Sequence, residues 1–213
     1  MTDVLLDLLN KKYPLTDLDV GEFSKMKVSG MKFCVSAYRA EGLGHVSVMK
    51  AKGFFGLMKM DTLIIVPDKK DLPLYSYDRI LAMGNDTLII ELYDTVAGSF
   101  DASALEKAKN KFSALPERDP GEHWYDSIKL PQSISKKAKN MPELDSAAIE
   151  YLKAFLASDA KTAFNAEEKQ KKTEYYVSGL LKNGGPSTDV FMKKFGEEKT
   201  KELFEKVLFG TKR

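Results

Sequence analysis

Short β-rich segments joined by very short connections constrain the fold of this chain more than any other feature. The connections are turn-like stretches such as Glu41–Gly44 and Pro67–Lys70. Parallel strands need crossovers of about a dozen or more residues, so connections this short favour an antiparallel meander. The β-rich segments are Met31–Ala40, His45–Lys52, Lys59–Val66, Leu74–Met83 and Thr87–Tyr93.

The pattern becomes helical after about residue 100. A final helix is indicated by apolar residues at helical spacing between Leu203 and Leu208, with Gly210 placed to end it. The N-terminal stretch Val4–Leu9 is also amphipathic. Strands followed by helices indicate an α+β fold. The other helices are predicted over Ser103–Leu115, Met141–Ala157 and Asn165–Lys182.

Several strand segments carry apolar residues at both odd and even positions, as in the runs TLIIVP and RILAM. Both faces of the sheet are therefore expected to be covered by helices. The resulting prediction is a three-layer α/β/α sandwich with a central antiparallel sheet. With 213 residues, the chain fits a single domain spanning residues 1–213.

Composition excludes several classes of site and partner. The 33 basic and 31 acidic residues give a net charge of +2, so no whole-chain field draws the protein to nucleic acid or to a membrane, and a charged partner requires a local patch. A single cysteine, Cys34, excludes an internal disulfide, a cysteine-ligated zinc site and an iron–sulfur cluster. Its apolar surroundings predict a small core residue. We expect no metal site, although carboxylates could still form a mononuclear one.

The N-terminal segment and the missing motifs narrow the function further. Asp3 and Asp7 interrupt the first apolar stretch, unlike a secretory signal, and no run approaches the roughly 20 apolar residues of a membrane span. A cytoplasmic protein is expected. The sequence also lacks the glycine-rich dinucleotide and phosphate loops, the hydrolase elbow and the HExxH zinc motif.

Two acids occupy apolar strand segments. Asp78 lies in DLPLYSYDRILAM on the same face as Leu74 and Ile80, and Asp61 lies in KMDTLIIV. A carboxylate in such a strand is neutralised, paired or used chemically. A solvent-facing position or an ion pair with Arg79 is the structural alternative for Asp78, and an ordinary paired acid is the alternative for Asp61.

Two blocks of sequence resemble the ferredoxin-dependent bilin reductases. The stretch LLKNGGPSTDVFMKKFGEEKTKELFEKVLFG is similar to the end of that family, where a lysine–asparagine pair precedes an FGE-containing helix ending in VLF. The stretch IIVPDKKDLPLYSYDRI resembles the family's strand, proline loop and LP-aromatic-x-x-Asp strand. The likeness runs in outline from His45 to Gly210.

The resemblance implies a fold of an antiparallel sheet between helices, in agreement with the prediction above. It also implies an enzyme with no tightly bound cofactor, which takes single electrons from reduced ferredoxin. Its substrate would be biliverdin or a related linear tetrapyrrole, held between the sheet and the C-terminal helices. A non-catalytic tetrapyrrole-binding protein of the same fold is the alternative.

The resemblance places Asp78 on the family's catalytic aspartate, as the proton donor. A family histidine falls near Asp61 or Thr62, so Asp61 is a candidate second acid. His45 resembles a family histidine that precedes a glutamate by two residues, but Ser47 stands in the glutamate's place, and a surface or capping role is the alternative. Asn183 matches a family asparagine beside the ligand, or else simply forms a turn.

An acidic ferredoxin would require a local basic surface on this chain. Lysines in two regions are candidates for that surface: Lys50, Lys52 and Lys59, and Lys193 with Lys194.

Overall fold

The computed structural model describes residues 1–139, 142–158, 160 and 162–212. Within those ranges the strands join one eight-stranded antiparallel sheet, with neighbours in the order β1-β3-β4-β5-β6-β7-β8 and with β2 also paired to β3. The strands are β1 (Leu15–Leu18), β2 (Lys25–Val28), β3 (Met31–Ala40), β4 (Gly44–Gly53), β5 (Met58–Pro67), β6 (Leu74–Ala82), β7 (Asn85–Tyr93) and β8 (Ile134–Ala138).

The predicted meander is confirmed, because β3 to β7 pair in sequence order. Short strands at the sheet's two ends were not predicted. β1 is mostly exposed, β2 alternates over only four residues, and β8 carries a lysine, Lys136, at a buried position, so none gives a strong strand signal.

The helices lie in two layers that cover opposite faces of the sheet, as expected for an α/β/α sandwich. A π-helical turn, Leu203–Leu208, follows the last α-helix. Met141, where the second predicted helix was to begin, lies outside the described residues. The helices are α1 (Thr2–Lys12), α2 (Ser103–Lys111), α3 (Pro142–Ala157), α4 (Ala166–Asn183) and α5 (Pro186–Glu202).

We name the two faces of the sheet after the helices that cover them. The α3 face packs against α1, α2 and α3 through side chains such as Leu63, Tyr77 and Leu88. The α4 face packs against α4, α5 and the π-helical turn through Ile64 and Leu74, among others. Since successive side chains of a strand point to opposite faces, each position in the sheet can be assigned to one layer.

The prediction for Cys34 was wrong, because this residue is exposed. Its neighbours Phe33 and Val35 are buried on the α4 face, which places Cys34 on the other side of β3. There it lies between the cross-strand partners Lys25 and Lys50. Apolar neighbours in the sequence did not reveal which alternate residues of β3 point to the core.

In the described part of the chain, none of the helices has the length and apolar character needed to cross a bilayer.

Candidate active site

Asp78 points to the α4 face of the sheet. In β6, Tyr75 and Tyr77 are fully buried on the α3 face, whereas Leu74 packs in the α4-face cluster. Asp78 has the same parity as Leu74 and therefore lies beneath the C-terminal layer. Its neighbour Arg79 points the other way and is not its partner.

The carboxylate of Asp78 is held by the strand beside it. Thr62 of β5 is its direct cross-strand partner, and the Thr62 hydroxyl donates a hydrogen bond of 2.5 Å to Oδ1 of Asp78. Thr62 is buried and shares the face of Ile64. The register thus decides which of positions 61 and 62 accompanies the catalytic candidate, and it is Thr62.

Burial raises the pKa of Asp78 to about 6, from the ordinary value of 3.8. The hydrogen bond from Thr62 opposes this rise, and the nearby negative charge of Glu91 adds to it. Asp78 nevertheless keeps a partly exposed surface, so a ligand can reach it. A carboxyl group with these properties can hold a proton close to neutral pH and deliver it.

Glu91 is a second acid on the same face, which the sequence reasoning missed. Asp78 pairs with Ile89 across β6 and β7, so Glu91 occupies the diagonal position, roughly 7 Å away at the Cα atoms. The Tyr93 hydroxyl donates to Glu91 at 2.6 Å, and Lys129 Nζ lies 3.8 Å from it. The polarity of Glu91 within the apolar run LIIELY was the available signal.

Aromatic rings form a wall beside these two acids. The rings of Tyr93 and Tyr176 are 4.1 Å apart between centroids, and Tyr125 lies 5.5 Å from Tyr93 in an edge-to-face arrangement. Trp124 continues the cluster at 6.0 Å from Tyr176. Burial raises the pKa of Tyr125 and Tyr176, and nearby Asp78 and Glu91 contribute to that rise, so the rings and the acids share one environment.

A cavity of about 720 Å³ opens further along the same sheet face. Two residues that line it, Thr87 and Lys137, are cross-strand partners on the α4 face. Thr87 also pairs with the β6 residue that lies two positions beyond Asp78. Met58 and Ala82 form the next cross-strand pair on that face. Asp78 itself lies outside this lining. The volume is within the range of pockets that hold cofactors and drug-sized ligands.

Asp61 is not brought together with Asp78. It lies on the α3 face, where the Met1 amine is 3.4 Å from its carboxylate and the Thr2 hydroxyl donates to it at 3.5 Å. Its cross-strand partner is Arg79, which pairs with Asp86 instead, at 2.5 Å. This is the arrangement of an ordinary paired acid.

His45 and Ser47 share the α4 face but bind the end of the chain. A ring nitrogen of His45 lies 2.8 Å from the carbonyl oxygen of Val207, and the Ser47 hydroxyl donates to that of Leu208 at 2.7 Å. Burial lowers the pKa of His45, which favours its neutral form. Both side chains are buried and fasten the π-helical turn to β4.

Asn183 is the last residue of α4 and is exposed. Its side-chain amide donates to the carbonyl oxygen of Gly179, one helical turn earlier, at 3.1 Å. The following Gly184 adopts φ +75°, which fits the predicted turn chemistry. Its side chain forms no hydrogen bond with Asp78, Thr62 or Glu91 among the described residues.

Across the described residues, no group of three histidine, cysteine, aspartate or glutamate side chains is arranged to hold a metal ion.

Comparison with known proteins gives a clear likeness to a solved structure. No protein-family model matches the chain, and no curated protein sequence matches it. The crystal structure of phytochromobilin synthase from tomato, in complex with biliverdin, superposes with a TM-score of 0.72. It covers 99% of this chain and 82% of the tomato chain, at 14% sequence identity. The chain has the fold of phytochromobilin synthase.

The likeness to bilin reductases that the two sequence blocks indicated is thereby confirmed at the level of the fold. At this identity the agreement concerns architecture, and the chemistry of the site must be argued from the residues of this chain.

Proposed function

We propose that this protein is a ferredoxin-dependent reductase of biliverdin or a related linear tetrapyrrole, with Asp78 as proton donor. One observation carries the proposal: a carboxyl with its pKa raised to about 6 lies on the sheet face beneath the C-terminal helices. The shared fold with a biliverdin-bound synthase supports this choice of ligand.

The aromatic wall suits a ligand of this kind. Linear tetrapyrroles are large, conjugated and mostly planar, and they pack favourably against aromatic faces and edges. Tyr93, Tyr125 and Tyr176 supply such surfaces next to Asp78. The adjoining cavity offers room for the remainder of the ligand along the same face.

The reaction needs an acid at this place. One electron added to the conjugated system gives a radical anion, and a proton must follow at a chosen atom before the product is stable. Reducing one double bond therefore consumes two electrons, from two ferredoxin molecules, and two protons. Asp78 donates one proton as its O–H bond breaks, and the resulting carboxylate is stabilised by the hydroxyl of Thr62. It then regains a proton from solvent through its exposed side.

A non-catalytic tetrapyrrole-binding protein is the second candidate, and a specific observation favours it. His45 and Ser47, which correspond to helper positions in the resemblance, are occupied in fastening the C-terminal turn. Asp78 and Glu91 would then serve only to bind pyrrole N–H groups.

Anaerobic titration with biliverdin, followed by reduced ferredoxin, separates the two. A reductase shifts the biliverdin absorption spectrum on mixing and yields a reduced bilin, detected by chromatography, only after ferredoxin is added. A binder shows the first change without the second. The absence of a spectral shift on mixing would contradict both proposals.

A further inference from the structure

Large apolar side chains are exposed at one end of the sheet. Among the described residues, seven large hydrophobic side chains are exposed, and four of these lie on two adjacent hairpin tips: Phe54 (61%), Phe55 (110%), Leu57 (64%) and Met83 (90%). The Met83 amide donates to the Leu57 carbonyl at 3.2 Å, which holds the tips together. A contiguous exposed apolar cluster of this kind marks an interaction surface.

Positive φ angles occur at both tips. At Met83 the positive φ belongs to the two-residue turn Met83–Gly84, whose favoured form requires it, whereas Phe54 and Phe55 adopt it in the longer 53–58 hairpin. Phe54, Phe55 and Met83 adopt φ values of 51°, 54° and 49°, a region that side chains larger than glycine rarely occupy. Strained conformations persist where the surroundings impose them, and they concentrate at functional sites. Phe55 is fully exposed, so burial within this chain does not compensate for its strain.

A ladder of lysines crosses the same end of the sheet. Lys27, Lys32, Lys52 and Lys59 are successive cross-strand partners on β2, β3, β4 and β5. All four are exposed, and none forms an ion pair with an acid in the described part of the chain. Like charges directly opposite each other destabilise a sheet, so this lysine ladder favours an external anion.

The lysine ladder and the tips form one surface. Lys52 and Lys59 lie immediately before and after the 53–58 hairpin that carries Phe54 and Phe55. With strands about 4.8 Å apart, the ladder spans roughly 14 Å. Protruding aromatic residues flanked by lysines are the arrangement with which peripheral proteins enter an anionic lipid surface.

We propose that this end of the sheet docks on an anionic lipid bilayer. The tips enter the boundary between head groups and acyl chains, and the lysine ladder contacts the lipid anions. Lipid is favoured over an acidic protein because Phe55 is fully exposed at the apex of its hairpin, and a bilayer offers an apolar layer behind its charged surface. Phe54, Leu57 and Met83 also line the mouth of the α4-face cavity, where Glu117 and Asp119 lie. Phe55 is outside that lining, and the lysine ladder is on the opposite face of the sheet. The small net charge of the chain does not oppose the proposal, since the lysine ladder is local.

Co-sedimentation with phosphatidylcholine vesicles, with and without phosphatidylserine, tests the proposal. We expect binding to the anionic vesicles that weakens with added salt. Each lysine near such a surface contributes about fivefold to partitioning, so the double substitution Lys32→Gln/Lys59→Gln should lower it about 25-fold. The matched control Lys193→Gln/Lys194→Gln changes charge equally at exposed positions on α5 and should leave binding unchanged.

Phe55→Gly tests the apolar tip without threatening the fold. Glycine accepts the φ of 54° freely, so this variant should be at least as resistant to urea as the parent while its vesicle binding falls at least tenfold. Tyr175→Ser, at an exposed aromatic on α4, is the control. Three results would overturn the proposal: no binding to anionic vesicles, unchanged binding by both tip and ladder variants, or a lysine-ladder effect on ferredoxin affinity alone.

Discussion

Replacing Asp78 with asparagine should stabilise the protein near neutral pH. A pKa raised from 3.8 to about 6 means that ionising this carboxyl costs the folded state about 3 kcal/mol. Asparagine has nearly the same shape, carries no charge and can still hydrogen-bond with Thr62. Asp78→Asn should therefore raise the free energy of unfolding by about 2 to 3 kcal/mol at pH 7.5.

The effect should depend on pH with a definite sign. Between about pH 4 and 6 the folded chain keeps the proton of Asp78 while the unfolded chain loses it. Stability from this group is fully present at low pH and is lost as pH rises through that window. The difference in the free energy of unfolding between Asp78→Asn and the parent should accordingly be small at pH 4 and reach its full size above pH 6.5.

Urea unfolding of both proteins at several pH values between 4 and 7.5 measures that difference in the free energy of unfolding. Asp61→Asn is the matched control, because it removes the same charge on the opposite face, where the carboxylate contacts the Met1 amine. It should lower stability by up to about 1 kcal/mol at neutral pH. A pH-independent difference, or an Asp78→Asn protein less stable than the parent at pH 7.5, would refute the account of the Asp78 environment.

Three further outcomes are expected. Ser47→Ala should lower the free energy of unfolding by about 1 to 3 kcal/mol in urea, because the buried carbonyl of Leu208 loses its donor; an unchanged midpoint would contradict that role. Gly179→Ala would put a methyl within 2.2 Å of the indole of Trp124, the single tryptophan, so this ring must shift. The tryptophan fluorescence should move to the red, and an unchanged spectrum would argue against this packing. If protonated Asp78 is the donor, the single-turnover reduction rate should fall as pH rises above about 6, and a rate that rises there would exclude it.

The meander and its two covering layers could be predicted because short connections leave few topologies and because apolar residues occur on both strand parities. Local pattern sufficed for β3, whose predicted and observed limits coincide. It failed for β8, which joins the sheet by pairing with β7 after a long irregular segment. The sequence of a five-residue strand does not indicate which distant strand it pairs with.

The candidate site was predicted only in part. The resemblance led to Asp78, and the parity of β6 then decided its face. Asp61 and Thr62 are adjacent in sequence yet point to opposite layers, so a one-residue difference in register separates a buried partner of Asp78 from a paired acid. Glu91 joins the site through the pairing of β6 with β7, and Tyr176 joins it through the packing of α4 on the sheet, which no spacing rule reveals.

The proposal that Asp78 donates the proton is tested most directly by a single-turnover experiment. Bound biliverdin is reduced under anaerobic conditions, and the reaction is followed by absorption and electron paramagnetic resonance. The parent and Asp61→Asn should convert biliverdin to a reduced bilin after reduced ferredoxin is added. Asp78→Asn should bind biliverdin, accept an electron and accumulate an organic radical without product. Full conversion by Asp78→Asn would contradict the role of Asp78 as proton donor.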